Sequence, residues 1–254
     1  RLVGSEMCIR DRYDTEAVDS VDPLVLAWKI GSGDITYIAL IEYVAKTKKP
    51  VMIASGASAM DDVERAMNAI LSINKEVVLM KCNTNYTGSI ENFKYINLNV
   101  LKKYQEKFPQ VILGLSDHSP GHASVLGAIS LGARVIEKHF TDDTSRIGPD
   151  HGFSMNPSTW KEMVMRSREL EAALGDGYKK VEDNELQTAV LQQRCLRAKK
   201  QLPAGHIITL NDLEALRPAA IGAYKPFHLN EVVGKQLKVS LELGDALMFK
   251  DIEG

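Results

Sequence analysis

From residue 24 onward, the chain alternates short apolar runs with amphipathic segments. The apolar runs cover residues 24–31, 51–55, 77–82, 111–115 and 134–140. The segments between them have helical periodicity, and in one of them Val63, Met67 and Ile70 fall on a single stripe. Nearly continuous apolar strands that alternate with helices predict a parallel sheet covered by helices on both faces.

The number of strand–helix units is compatible with two architectures. About five units are recognisable, whereas a closed (β/α)8 barrel has eight. An open doubly wound sheet and a (β/α)8 TIM barrel missing its first strands both satisfy this pattern. Residues 1–12 lack any regular periodicity and resemble sequence foreign to the protein, so we expect an artefact outside the fold. This irregular N-terminus favours the partial barrel, which would comprise residues 13–178. Because its first strands are missing, we expect the chain to be poorly folded or inactive.

A long helix closes the predicted barrel, and a different kind of sequence follows it. Asn156 and Pro157 suit the N-cap and first position of this helix, and Gly175 follows its end. Residues 179–193 predict a linker, and residues 194–254 predict a small β-rich domain in which Thr209 and Asp212 resemble a capping box. Because so small a unit has only a marginal core, we expect it to pack against the barrel or a partner chain.

Composition and charge exclude several classes of protein. The 254 residues are 44% hydrophobic and 25% charged, with a formal net charge of −2, which is typical of a globular protein without affinity for nucleic acid or anionic membranes. No apolar run approaches the roughly 20 residues of a membrane span. Three scattered cysteines are too few for a disulfide framework, so we expect a cytoplasmic protein.

Two predicted neighbouring strands end in histidine, at His118 and His139. Because both strands belong to one βαβ unit, their carboxyl ends should meet at the same edge of the sheet. Alternation places Glu137 and His139 on one face of the second strand and Lys138 on the other. Two neutral imidazoles with carboxylates nearby predict a divalent-metal site, although a single histidine at a strand end is more often structural.

Polar residues also follow the other strands. Lys29, Ser32 and the flexible glycines beside them suit an anionic substrate, whereas the carboxylate of Asp34 is unfavourable there unless it handles a proton or a cation. A solvated turn with a helix-capping Asp34 explains this segment equally well. Ser55 stands where a phosphate could bind, although an ordinary helix cap is the simpler interpretation. Asn85 with its neighbouring tyrosine could orient a polar substrate such as a sugar, but asparagine is common in turns.

Together these segments resemble the sialic acid synthase family, whose members make N-acetylneuraminate, legionaminate or pseudaminate. The similarity runs from about residue 28 to the C-terminus. It rests on KIGSGD from Lys29, ASG from Ala54, NTNY from Asn83, GLSDHSPG from Gly114, VIEKHF from Val135 and GPDH from Gly148. The tail from Arg194 resembles the SAF (antifreeze-like, β-clip) domain that ends these synthases.

The resemblance implies a reaction and a set of site residues. Phosphoenolpyruvate condenses with an N-acetylmannosamine-type sugar, an N-acylated hexosamine, and with water, and phosphate is released. A divalent metal is implied, Mn²⁺ most often, with Mg²⁺ or Co²⁺ as alternatives. The implied residues are Lys29, Ser32, Ser55, Asn85 and Ser116 for phosphoenolpyruvate, Lys29 and Asp34 for catalysis, His118 and His139 for the metal, and Tyr86, Asp150 and Arg217 for the sugar.

Arg217 carries the further implication of a domain-swapped homodimer, in which the small domain of one subunit reaches the active site of the other. The sequence after Arg217 reads Pro-Ala-Ala-Ile-Gly, which departs from the family pattern. Two other functions stay open. One is a synthase that makes a 3-deoxy sugar acid from phosphoenolpyruvate and a phosphorylated aldose, and the other is a non-catalytic carbohydrate-binding protein.

Overall fold

The computed structural model describes residues 9–10, 14–86 and 88–253. They form two compact units that divide between residues 176 and 177. The first unit contains a parallel sheet whose strands are hydrogen-bonded in chain order. Its strands are β1 (Ile9–Arg10), β2 (Ala27–Ile30), β3 (Val51–Ala54), β4 (Val77–Cys82), β5 (Ile112–Asp117) and β6 (Ala133–Lys138).

Helices connect these strands, as the alternating pattern predicts. They are α1 (Thr15–Val21), α2 (Ile38–Lys46), α3 (Met60–Ile73), α4 (Phe93–Ile96), α5 (Val100–Lys107), α6 (Ala123–Ser130) and α7 (Pro157–Leu174). The predicted start of α7 is confirmed, since the Asn156 side chain accepts hydrogen bonds from the backbone N–H groups of Ser158 and Thr159. Gly175 at the other end has a φ of +61°, which favours glycine.

The sheet is strongly curved, and two separate cores lie on its faces. The larger core packs the sheet against α1, α2, α3, α5, α6 and α7. The smaller core consists of Ala27, Met52, Val78, Met80 and Val135 on the opposite, inner face. Lys29 Nζ on β2 lies 3.4 Å from Glu137 Oε1 on β6, although β3, β4 and β5 separate these strands within the sheet. This curvature is that of a TIM-barrel wall, which confirms the predicted fold class.

Part of the predicted artefact falls within the described residues. Ile9 and Arg10 pair in parallel with Ala27 and Trp28 at the edge of the sheet. The rest of the range 1–12, apart from these two residues, lies outside the described residues. That this range is foreign to the protein therefore stays a prediction.

The second unit, from residue 177, is smaller and rich in short strands. Its elements are α8 (Leu186–Gln192), the antiparallel strands β7 (Cys195–Ala198) and β8 (Leu213–Leu216), and α9 (Leu229–Val232). Its core is built from aliphatic side chains, including Leu196, Leu213, Leu237, Leu241 and Leu247. The predicted linker, residues 179–193, is largely helical and clusters with this unit rather than standing apart.

The capping-box interpretation of Thr209 and Asp212 is wrong in one respect. Asp212 Oδ2 does accept from the Thr209 N–H, at 2.7 Å, as a capping box requires. No helix follows, because β8 begins at Leu213. The hydrogen bond closes a turn that leads into a strand instead.

No helix in the described part of the chain is both long enough and apolar enough to cross a membrane. Cys82 and Cys195 are buried free thiols.

Candidate active site

A cavity of about 440 Å³ opens at the carboxyl ends of β2, β4, β5 and β6. This is the edge of a parallel barrel sheet at which active sites form, because the loops that follow the strands converge there. Its walls are polar. The lining residues are Lys29, Gly31, Ser32, Gly33, Asp34, Cys82, Thr84, Tyr86, Ser116, His118, Glu137, Lys138 and His139.

Lys29 supplies a positive charge to this cavity. Its side chain is 11% exposed, and it forms the 3.4 Å ion pair with Glu137 across the cavity. Ser32 lies beside it in a short 3-10 helix, Ser32–Asp34, and accepts a hydrogen bond of 2.9 Å from the Gly56 N–H. A Cβ atom on Gly56 would lie 2.8 Å from Ser32 Oγ, so only glycine lets the chain pass this close.

The two predicted metal ligands lie together. The ring centroids of His118 and His139 are 5.1 Å apart. His118 Nδ1 lies 2.9 Å from the backbone oxygen of Asn83, and His139 Nδ1 lies 3.5 Å from Asp150 Oδ2. Because each Nδ1 has an acceptor beside it, each Nε2 is left to accept a proton or bind a metal.

These residues fit a divalent ion in part. Burial, and then the neighbouring His118, lower the pKa of His139, which favours the neutral imidazole that a metal requires. Within the described ranges, however, no three His, Cys, Asp or Glu side chains converge on one point. The described residues therefore bring two imidazoles together, and a metal held by them would need ligands besides these two.

The ring of Tyr86 packs against the two histidines. Its ring lies 4.1 Å from that of His118 and 5.9 Å from that of His139. Burial raises the pKa of Tyr86, so the phenol keeps its proton and can donate a hydrogen bond. Half-exposed Asp150 stands on the other side of His139.

A buried ion pair holds the strands that carry the histidines. Lys138 Nζ lies 2.7 Å from Asp117 Oδ2, and these side chains are 1% and 3% exposed. The ammonium also donates to the backbone oxygen of Ser119, and Asp117 accepts from the hydroxyl groups of Ser119 and Ser124. Asp117 and Lys138 are paired across β5 and β6, each directly before a histidine. The ion pair therefore joins the two strand ends from which the imidazoles project.

Two of the predicted phosphoenolpyruvate ligands do not line this cavity. Ser55 and Asn85 line a second cavity beside it. The Ser55 hydroxyl is buried, donates to the Met80 oxygen and accepts from the hydroxyl of Tyr104. Thr84 and Cys82 line the first cavity instead, and no sequence pattern pointed to either of them as a site residue. The roles that the resemblance implies for Ser55 and Asn85 stay predictions.

Arg217 belongs to the second unit. It is exposed at the end of β8, and the bond to Pro218 that follows it is cis. Arg197 anchors this turn by donating to the Pro218 oxygen at 2.7 Å.

The chain is similar to known proteins along most of its length. The NeuB family pattern matches residues 7–179, well over half of the chain. The chain belongs to the NeuB family. A SAF domain matches residues 193–253, so the predicted resemblance is confirmed for both parts.

The relatives of this NeuB-family chain include legionaminic acid and sialic acid synthases. An N,N'-diacetyllegionaminic acid synthase from Legionella pneumophila is 34% identical over 95% of this chain and 68% of its own length. The human N-acetylneuraminate-9-phosphate synthase is 31% identical over 92% of this chain and 65% of its own length. A solved sialic acid synthetase from Leptospira borgpetersenii superposes with a TM-score of 0.64 and 26% identity, over 70% of this chain and 61% of its own. The chain thus spans about two thirds of these proteins.

Proposed function

We propose that this chain is a nonulosonate synthase that condenses phosphoenolpyruvate with an N-acetylmannosamine-type sugar and water and releases phosphate. One observation carries the proposal. Lys29, Ser32 and Ser116, which suit an anion, line the same cavity as His118 and His139, which suit a metal. The synthase names of the relatives support the same reaction class.

Phosphoenolpyruvate would bind on the Lys29 side of the cavity. The ammonium of Lys29 and the hydroxyl groups of Ser32 and Ser116 would neutralise and hydrogen-bond the charged oxygens. Burial raises the pKa of Cys82 beneath them, so the neutral thiol adds no negative charge there. Ser55 and Asn85 would contribute from the second cavity, if the ligand extends past Thr84 and Cys82, which line both cavities.

The sugar would bind on the histidine side. Tyr86 and Asp150 are placed to hydrogen-bond its hydroxyl groups. His118 and His139 would hold a divalent ion, Mn²⁺ in our proposal, which would supply Lewis-acid activation of the sugar carbonyl. Together, the tyrosine, the aspartate and the two histidines would orient the sugar aldehyde towards the phosphoenolpyruvate at Lys29.

The reaction forms a C–C bond between the two substrates and a C–O bond from water, and it breaks the C–O bond to phosphate. The enol carbon of phosphoenolpyruvate attacks the sugar aldehyde, and the aldehyde oxygen takes a proton. Water adds to the cationic carbon that remains and gives up a proton, and phosphate leaves by C–O cleavage. Asp34 lines the cavity. Its carboxylate is our candidate for accepting a proton in this step or for stabilising the positive charge on this carbon. The Lys29 ammonium stabilises the departing phosphate.

We further propose a homodimer in which Arg217 contributes to sugar binding in the partner subunit. The Arg217 side chain is exposed and makes no ion pair with any residue that the structure describes, so it is available to an anionic or hydroxylated ligand. Size-exclusion chromatography with light scattering tests the dimer. A monomer at all concentrations would contradict it.

The reaction itself is tested by phosphate release. The purified chain is incubated with phosphoenolpyruvate, Mn²⁺ and N-acetylmannosamine or its deoxy relatives, and a chelator serves as the control. Sugar-dependent release that the chelator abolishes, and that His118→Ala/His139→Ala lacks, would support the proposed reaction. Release only with phosphorylated aldoses would support the 3-deoxy sugar acid synthase, and sugar binding without release would support the carbohydrate-binding protein.

A further inference from the structure

A second cavity, of about 600 Å³, lies beside the first, between the loops that follow β3 and β4. Its walls include Ser58, Lys81, Asn83 and Tyr95, and among its lining residues only Lys81 carries a full charge. The proposed reaction assigns no role to Lys81.

Lys81 is a buried cation for which the described residues provide no counter-ion. It is 9% exposed, and no carboxylate of a described residue lies within 4.0 Å of it. In the part of the chain that the structure describes, its hydrogen bond is to the backbone oxygen of Cys82, which leaves further N–H groups of the ammonium to donate. Burying an ammonium without an opposite charge is unfavourable, and natural proteins rarely do so outside functional sites.

The orientation of Lys81 follows from the strand. Val78 and Met80 of β4 belong to the inner core, so alternation directs Lys81 to the opposite face, beneath the loop that precedes α3. Thr84 stands at the boundary between the two cavities, and its hydroxyl makes no hydrogen bond with a described residue. Two donors of different kinds therefore border this cavity.

Two other wall groups, on Asn83 and Ser58, are engaged in holding the loops. Asn83 Nδ2 donates to the Tyr95 oxygen, and Ser58 Oγ donates to the Ser55 oxygen. The first turn of α3 is already capped, because Asp62 accepts from the Ala59 N–H. The preference of this cavity for an anion therefore rests on Lys81 and Thr84, not on the helix N-terminus.

We propose that this cavity binds an oxyanion group, phosphate or carboxylate, through the Lys81 ammonium and the Thr84 hydroxyl. The anion is either a free ion or the charged end of a substrate that reaches in from the first cavity past Cys82 and Thr84. The site extends the proposed function without depending on it, since binding is measured without turnover.

The test measures the melting temperature of the full chain by tryptophan fluorescence. Both tryptophans, Trp28 and Trp160, belong to the unit that contains the cavity. The probes are inorganic phosphate, phosphoenolpyruvate and N-acetylmannosamine 6-phosphate, each compared with chloride at equal ionic strength. At ten times its Kd, a probe should raise the melting temperature by about 3 °C.

Three variants separate binding from general effects of salt. Lys81→Met should lose the shift, Lys81→Arg should retain part of it, and Lys94→Met should behave as the unsubstituted chain. Lys94 is the matched control, because its exposed ammonium lies 5.0 Å from the ring of Tyr95, which lines the same cavity.

The three probes distinguish the sources of the anion. A Lys81-dependent shift with inorganic phosphate supports a free-ion site. A Lys81-dependent shift only with phosphoenolpyruvate or the sugar phosphate supports a substrate-borne anion. Equal shifts in Lys81→Met and the unsubstituted chain, for all three probes, would overturn the proposal. That result would leave the proposed reaction standing, since the reaction is tested separately by phosphate release.

Discussion

Two lysines are buried at the same edge of the same sheet, yet their surroundings differ. Lys138 on β6 pairs with Asp117 at 2.7 Å and also donates to a backbone oxygen. Lys81 on β4 has a backbone oxygen but no carboxylate of a described residue within ion-pair distance. A buried charge that is fully paired can be explained by structure alone. A buried charge that is not paired calls for a ligand.

Among the substitutions of buried charges, Lys138→Met should have the largest effect on stability. Lys138→Met leaves Asp117 buried with only hydroxyl and backbone partners, and we expect a loss of about 3–5 kcal/mol in the free energy of unfolding. Urea unfolding followed by tryptophan fluorescence measures it. The double variant Lys138→Met/Asp117→Leu removes both charges and should recover most of the stability.

The same pair joins the strand ends that carry the histidines, which gives a second readout. If the ion pair only stabilises the sheet, the double variant should bind Mn²⁺ as the unsubstituted chain does, by electron paramagnetic resonance. If it also orients His118 and His139, the affinity should fall about tenfold or more although the fold is retained. Unchanged Mn²⁺ affinity in the stable double variant would contradict the positioning role.

A third buried charge, Asp212 in the second unit, tests whether paired charges behave alike. Burial alone would raise the pKa of Asp212, but hydrogen bonds from His206, Lys200 and Thr209 hold it well below its usual value. Because the folded pKa is depressed, the stabilisation is complete above about pH 4 and is lost as the pH falls below that. Asp212→Asn should therefore cost about 2–3 kcal/mol at pH 7 and lose little more on acidification.

Hydrogen exchange over residues 195–216 measures this effect within the second unit. Asp245→Asn is the matched control, because exposed Asp245 also accepts a backbone N–H, from Glu242, at 2.8 Å. A control variant as unstable as Asp212→Asn would show that burial of the carboxylate is not the cause. Equal acid sensitivity in Asp212→Asn and the unsubstituted chain would contradict the pKa direction.

The sequence predicted which residues end the strands better than it predicted which way they face. The strands, α7 with its Asn156 cap, and the His118–His139 pair followed from periodicity and from βαβ geometry. Ser55 was assigned to the substrate by resemblance, yet it continues the alternation of Val51 and Ile53, which lie in the outer core with the helices. Its hydroxyl is correspondingly buried between Met80 and Tyr104.

Other features depend on contacts distant in sequence. Residues beyond a strand end follow no alternation, so the order Thr84 inside and Asn85 outside the first cavity was not predictable. The Asp117–Lys138 pairing depends on the register of β5 and β6, which shifts between Leu113 and Gly114. No short-range pattern carries that information.

A substitution in the wall between the two cavities, at Gly56, should have a smaller effect. A Cβ on Gly56 would lie 2.8 Å from Ser32 Oγ and 2.9 Å from the Thr84 side chain, so Gly56→Ala must displace both. We expect about a tenfold loss of phosphoenolpyruvate affinity, corresponding to one hydrogen bond of about 1.4 kcal/mol. Gly152→Ala, where a Cβ meets nothing within 4 Å, is the control. Isothermal titration calorimetry measures both, and equal affinities would contradict the role of this wall.

The substitution with the smallest expected effect should raise the stability of the chain instead of lowering it. Lys81→Met removes a buried ammonium that no carboxylate of a described residue pairs with, and whose pKa is lowered by desolvation. It puts an apolar side chain of similar length in its place. Without ligand, we expect the variant to be about 1 kcal/mol more stable than the unsubstituted chain in urea. Lys138→Met, the same substitution at a paired lysine, should be less stable. A destabilised Lys81→Met would mean that Lys81 has a structural partner after all, and the contrast between the two lysines would disappear.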